Sequence, residues 1–159
     1  VVLGSLFCEV NEGVKAYNIF KHRHLPEIEQ ELSQLVEKKV TVTFVPHLIP
    51  MDRGILTTLY VNFTRKVKTE DVLERFQEYY NREPFIRIYP KGKIPNTKDV
   101  RGSNYCDIGV VVNESDSRGV VVTGIDNLVK GASGEAIQNM NIMLGYPETM
   151  GLDVVPLFP

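Results

Sequence analysis

The 159-residue chain lacks several features that would assign it to broad functional classes. Its net charge is only −2 and no basic stripe is present, which argues against a nucleic-acid partner. No apolar run approaches the length of a membrane span, so the chain reads as soluble, with no membrane partner. Two cysteines, far apart in sequence, make no disulfide framework, and a reducing, cytoplasmic setting is the default, an organelle of a eukaryotic cell remaining open. The three histidines and two cysteines fall at no metal-ligand spacing, so no metal site is expected. No repeat or low-complexity stretch occurs. No Gly-x-Gly-x-x-Gly turn follows an early strand, so nothing here cradles a dinucleotide pyrophosphate.

Against these absences stands a chain that is 43% hydrophobic, enough for one domain with its own core over residues 1–159. Strands and helices alternate along it. Leu3 to Val10 alternates as a strand, and the Gly13 segment carries a short helix through Tyr17. Pro26 suits a helix start, and Ile28, Leu32, Leu35 and Val36 then recur at helical spacing, giving a helix from Pro26 to about Glu37. Val40 to Val45 has the β-branched enrichment of a strand, and Ile55 to Phe63 alternates as a long one. Thr69 caps a helix whose stripe is Val72, Leu73, Phe76, Tyr79 and Tyr80, ended by Pro84. Phe85 to Tyr89 is a strand, Lys91 to Val100 a loop, and Asp107 to Val112 with Val120 to Ile125 a hairpin. A last helix runs from Gly134 to Leu144 and stops at Gly145. The fold class is α+β, a mixed, largely antiparallel sheet with helices on one face. Neither face of the long strand is purely polar. The second face therefore needs cover as well, from a partner subunit or an extra helix.

The richest chemistry lies in Lys21-His22-Arg23-His24-Leu25-Pro26-Glu27, two imidazoles and a guanidinium just ahead of a helix start. The unpaired N–H groups there favour anions, and an imidazole so placed can give or take a proton. Arg53 and Arg101 are candidate cations for an anionic substrate, although Arg53 could equally pair with Asp52 or another nearby acid. Ser103 and Asn104 could donate to substrate or simply form a turn. Lys130-Gly131-Ala132-Ser133-Gly134 is no phosphate loop, because its lysine comes first and the Gly-Lys-Thr/Ser ending is missing. Cys8 and Cys106 read as small core or half-buried residues.

Four blocks taken in order carry a family resemblance. They are Phe7 to Tyr17 followed by His22-Arg23-His24, then Val45-Pro46-His47-Leu48-Ile49-Pro50-Met51-Asp52-Arg53-Gly54-Ile55, then Gly102-Ser103-Asn104, and then Ile125-Asp126-Asn127-Leu128-Val129-Lys130-Gly131-Ala132 through Asn141. Together they closely resemble the second half of the N-acetyl-gamma-glutamyl-phosphate reductases, from about Phe7 to Leu152.

The resemblance implies the substrate-binding and dimerisation domain of the glyceraldehyde-3-phosphate dehydrogenase-like superfamily, without its dinucleotide-binding half. It implies an NADPH-dependent oxidoreductase of arginine biosynthesis that reduces N-acetyl-glutamyl 5-phosphate to N-acetyl-glutamate 5-semialdehyde through a cysteine thioester. That cysteine, in an Asn-Pro-Gly-Cys context, belongs to the other half, so the chain reads as an excised domain that is inactive alone. By the same resemblance His22 is the acid/base residue. His24, Glu27, Arg23, Arg53, Ser103 and Asn104 are substrate-binding candidates, and Asn127, Gly131, Ala132 and Gln138 lie near the nicotinamide of NADP in the intact enzyme. The small-molecule substrate and a homo-oligomer partner follow from it as well. A non-catalytic dimerisation or ligand-binding module of the same fold, or a related semialdehyde dehydrogenase domain, is the alternative.

Overall fold

The computed structural model describes residues 6–157. Its contacts gather into two compact units, Val1–Asp52 and Arg53–Pro159. The first contains a helical turn α1 (Phe7–Val10), a two-residue strand β1 (Lys15–Ala16), the helix α2 (His24–Leu35) and a two-residue strand β2 (His47–Leu48). Strands β1 and β2 pair antiparallel, Lys15 opposite Leu48 and Ala16 opposite His47.

Several expectations for this unit are corrected. Of the segment expected as a strand from Leu3 to Val10, residues 3–5 lie outside the described residues and 7–10 are helical. There the N–H groups of Glu9 and Val10 both reach the Leu6 carbonyl, because alternation alone makes no strand where no neighbouring edge is offered. Cys8 is accordingly exposed rather than packed. The Gly13 segment forms a strand instead of a helix. Val40 to Val45 forms no strand, since α2 takes its donors: the Val40 N–H goes to Ser33 Oγ and the Val42 N–H to Glu29 Oε1. Helix α2 starts at His24, two residues before Pro26, which still lies in the first turn where its missing N–H leaves no bond unmade.

The second unit is built on a four-stranded sheet of order β3-β6-β5-β4, with β3 (Ile55–Asn62), β4 (Ile86–Ile88), β5 (Cys106–Asn113) and β6 (Arg118–Ile125). Strands β3, β6 and β5 run antiparallel to their neighbours, and β4 joins β5 in parallel. The mixed, largely antiparallel sheet of the sequence reading is therefore present. Its core is the face carrying Ile108, Val110 and Val112, on which α3 (Thr69–Tyr79) lays Val72 and Leu73, with Phe76 and Tyr80 packed alongside. Tyr79, expected in the same stripe, is 67% exposed and meets only the edge of the Tyr80 ring. Thr69 does not cap its helix. It is buried, and its Oγ1 accepts the Val112 N–H at 3.1 Å, joining the helix to the sheet, while Asp71 Oδ2 takes the N–H of Lys68 at 2.9 Å. Burying five or so such aliphatic side chains, at about 1.5–3 kcal/mol each, is what holds helix to sheet.

The opposite face is covered only in part. The segment that ends in the 3₁₀ turn Thr97–Val100 crosses β5 and β6 where both strands carry glycine: a Cβ on Gly109 would stand 2.7 Å from Pro95 Cδ and 3.1 Å from the Lys93 carbonyl oxygen. Beyond that crossing, the register sets Tyr60, Val120 and Val111 in one row across β3, β6 and β5. Tyr60 is 82% and Val111 47% exposed, an apolar stretch of sheet left open. The last helix, α4 (Gly134–Leu144), follows a π-helical turn (Val129–Ser133) and ends at Gly145, whose φ of 72° is the left-handed geometry glycine adopts freely.

Replacing Gly109 with Ala should therefore cost about 1–3 kcal/mol, because the rigid Pro95 ring and the Lys93 backbone carbonyl, rather than a flexible side-chain tip, stand in the way. A urea midpoint unchanged by that substitution would refute the close crossing described here.

Candidate active site and its supporting network

Within the first unit, the expected acid/base residue sits two residues before α2. His22 is half-buried, and its ring is met edge-on by Tyr17 at 5.6 Å, Phe44 at 5.3 Å and His24 at 4.8 Å between centroids. The aromatic neighbours were not anticipated as site residues, although Tyr17 closes the first motif block. His22 also caps the helix: its carbonyl accepts the Leu25 N–H at 3.0 Å, and its Nδ1 accepts the His24 N–H at 3.3 Å. The cap arises because the first N–H groups of a helix have no partner within it. Nε2 has no hydrogen-bond partner among the described residues. His24, Arg23 and Glu27 are all exposed on the first turn, so the cluster offers a packed imidazole, a second free imidazole, a cation and a carboxylate at one helix end. His47 is exposed on β2, its Nδ1 3.1 Å from the Val45 carbonyl.

The second unit centres on a carboxylate that sequence reasoning passed over. Asp126, fully buried at the end of β6, accepts the N–H of Gly102 at 2.7 Å, of Leu128 at 2.8 Å and of Val129 at 3.0 Å. Arg53 completes the set, its guanidinium 3.0 Å from Oδ2 and 3.2 Å from Oδ1. Burial works against the charge, but these donors outweigh it and hold the carboxyl below its ordinary range. Of the two readings of Arg53, the structure provides a pairing acid, and it is Asp126 rather than Asp52. Its Nε is buried without a hydrogen-bond partner. The signal that could have found Asp126 is local: an Asp followed two and three residues later by the free N–H groups of a helical turn is an ordinary cap pattern.

The remaining candidates divide by exposure. Ser103 is buried and its hydroxyl donates to the Val100 carbonyl at 2.8 Å. Asn104 is buried too, its Nδ2 donating to Gln138 Oε1 at 2.8 Å while its Oδ1 is unpartnered beside Gly134. Gln138 also accepts from Lys130 Nζ at 2.7 Å and donates to Glu148 at 2.6 Å, so both ends of its amide are bonded within the protein. Asn127 Oδ1 accepts the Gly54 N–H at 2.7 Å, tying the start of β3 to the turn after β6. Gly131 and Ala132 are exposed. A second buried carboxylate, Asp107, is gripped by both Nε and a terminal nitrogen of Arg87, at 2.6 and 2.8 Å, and by the Tyr89 hydroxyl at 2.9 Å. Burial and that carboxylate push the Tyr89 phenol well up, and burial followed by Asp107 pushes the half-buried Cys106 thiol up as well, which leaves that thiol unlike an activated nucleophile. No group of His, Cys, Asp or Glu suited to a metal ion occurs among the described residues.

Residues 2–127 match the family described as semialdehyde dehydrogenase, dimerisation domain. The chain belongs to that family. It is 56% identical over 98% of its length to the N-acetyl-gamma-glutamyl-phosphate reductase of Citrifermentans bemidjiense, 52% over 99% to that of Desulfotalea psychrophila, and 52% over 96% to that of Staphylococcus saprophyticus. The chain spans 45–46% of the length of these relatives. Among solved structures it is similar to aspartate semialdehyde dehydrogenase II from Vibrio cholerae, with a TM-score of 0.63 at 17% identity over 77% of this chain and 37% of that one. It is also similar to the aspartate semialdehyde dehydrogenase from Francisella tularensis, with a TM-score of 0.64 at 15% identity over 85% and 40%. At such identity the likeness is one of fold, and it agrees with the α+β architecture expected from the sequence. No helix among the described residues is long and apolar enough to cross a membrane.

Asp126→Asn puts an amide donor against backbone donors and strips Arg53 of its partner, so stability should fall by about 3 kcal/mol. In the parent, the lowered carboxyl contributes stability that is complete above the unfolded value of about 4 and is lost as pH falls through the folded value. Denaturant midpoints for the two proteins should thus converge below about pH 4, and a gap independent of pH down to 2 would contradict the assignment.

Proposed function

We propose that this chain forms the substrate-binding, proton-handling and dimerising half of an oxidoreductase that converts N-acetyl-glutamyl 5-phosphate to N-acetyl-glutamate 5-semialdehyde with NADP, a cytoplasmic step of arginine biosynthesis. One observation carries the reading: relatives bearing the reductase name are 52–56% identical over nearly the whole chain. The His22-Arg23-His24 cluster is also assembled at a helix start with its first imidazole packed and capped.

The chemistry divides between the halves. The cysteine thiolate that would take the acyl group belongs to the half this chain does not span, and NADP would supply the hydride. The residues present fit an edge contact with such a dinucleotide rather than a cradle for it: Gly131 and Ala132 are small and exposed, whereas Gln138 is turned inward and Asn127 braces β3. With neither cradle nor nucleophile, the chain alone is expected not to turn over. Its own part is to position the acyl carbonyl and handle the proton there. His22 serves as the acid/base group. His24, Arg23 and Glu27, exposed on the same turn, orient the substrate, the Arg23 guanidinium serving its carboxylate or phosphoryl oxygens. Arg53, already held by Asp126, has less freedom to do so than an unpaired arginine. Ser103 and Asn104, buried within the second unit, then hold the shape of their own loop rather than touch substrate.

Dimerisation falls to the open sheet face. The row of Tyr60, Val120 and Val111 presents apolar surface with β3 as its edge strand, which a second copy would cover. Tyr60→Glu should convert a dimer to monomer in light scattering while leaving far-UV dichroism intact. A dimer unaffected by that charge would place the interface elsewhere.

The decisive variant is His22→Asn in the reductase that contains this chain. Turnover should fall by about 10²- to 10⁴-fold with KM little changed. His24→Asn should be milder on turnover and raise KM. Equal and negligible effects of both would refute the acid/base reading.

A further inference from the structure

Between Tyr17 and His22 the chain makes a turn that its residue types do not favour. The Lys21 N–H donates to the Asn18 carbonyl at 2.9 Å, which closes a four-residue turn over Asn18–Lys21. Phe20, third in that turn, has a φ of 57°. Glycine or asparagine is the usual residue at such a place, because a Cβ crowds the backbone in the left-handed region. The other non-glycine residues with positive φ among the described residues are Glu12, Asn18, Glu37 and Ser117, so Phe20 alone sets a large apolar side chain there. Packing within the chain does not offset the strain, for Phe20 is 64% exposed and the adjacent Ile19 46%. Tyr17 and Phe44, by contrast, lay their rings against the His22 imidazole. A strained residue whose side chain stands in the open, two positions from a group proposed for chemistry, is placed for something that binds there.

We propose that Phe20 is a specificity-determining residue whose ring covers the acetamido group of the substrate. This rests on the reading of the His22 site given above and adds to it the end of the substrate that does not react. The carboxylate and phosphoryl groups call for cations, whereas the acetamido group is a neutral, planar amide bearing a methyl. Charge has little to hold on such a group. An aromatic ring suits it, since the ring removes the methyl from water and offers the amide plane a flat surface at the cost of ordering only two side-chain torsions. The dimensions agree. Two residues of chain span at most about 7 Å, and the reacting carbonyl carbon lies four bonds, about 5 Å, from the amide nitrogen. With the carbonyl at His22, the acetamido group falls within the reach of the Phe20 side chain.

The test is selectivity in the reductase that contains this chain, assayed as semialdehyde oxidation with NADP and phosphate. N-acetyl- and N-formyl-glutamate 5-semialdehyde are compared, because they differ by the one methyl group. The parent should favour the acetyl compound by about 10-fold in kcat/KM. Phe20→Ala and Phe20→Gly should bring the two compounds within about 2-fold of each other, by raising KM for the acetyl compound and leaving KM for NADP unchanged. Phe20→Leu should keep most of the preference. The glycine variant is decisive, since glycine is the residue this turn favours, and its thermal midpoint should be no lower than the parent's. A preference that survives Phe20→Gly would overturn the proposal while leaving the family and the role of His22 untouched. An equal loss of preference in Ile19→Ala would overturn it too, because the effect would then belong to the shape of the turn and not to the ring. A lower thermal midpoint for Phe20→Gly would show that the ring packs within its own chain, with the same consequence. A parent that oxidises neither compound would instead overturn the function on which the proposal rests.

Discussion

The second unit is organised around a carboxylate that is out of water. Asp126 directly follows β6, yet its oxygens reach the loop before β5 through Gly102, the turn before α4 through Leu128 and Val129, and the segment leading into β3 through Arg53. A buried charge is tolerated only when its lone pairs are filled, and here four donors converge from three separate chain segments. The consequence is geometric: β3, β5 and α4 enter the fold from fixed starting points, and the strand register follows from them. Asn127, one residue on, repeats the device by taking the Gly54 N–H. Charge balance, which in many surfaces contributes little, here dictates where three segments begin.

A similar economy marks the sheet's two faces. One face is sealed by α3 through aliphatic contact and by the Thr69 bond to β5. The other is crossed by a segment that fits because Gly109 and Gly124 have no side chains, and is locked by Arg87, Tyr89 and Asp107 beneath it. The crossing covers neither β3 nor the Val111 end of β5, which leaves Tyr60 and Val111 in the open. In the first unit, by contrast, little is buried, and order around His22 comes from ring edges and one helix cap. An imidazole proposed to handle a proton needs that local rigidity more than it needs a deep core.

Much of this was legible in the residues. The long alternation of Ile55 to Asn62, the β-branched runs on either side of Asn113 to Arg118, and the glycine after Leu144 all declare their elements because local geometry decides them. The helix stripe of Val72, Leu73 and Phe76 declared its buried face for the same reason. The short elements of the first unit were not legible. Leu6, Cys8 and Val10 alternate as a strand would, but no edge is presented to them, and Val40 to Val45 loses its strand because Ser33 and Glu29 take its donors. Those outcomes depend on which groups happen to be near, which no periodicity records.

The same division applies to the site. Sequence alone established the family resemblance and the α+β class, and it singled out a helix start beside two histidines for the chemistry proposed above, since each of these is a property of residue types in order. Only the tertiary structure decided that Arg53 serves Asp126, that Ser103, Asn104 and Gln138 face inward, and that His22 turns Nδ1 to its own helix. Hydrogen-bond direction and burial depend on which donors meet in space, and those donors come from positions as far apart as Arg53 and Asp126.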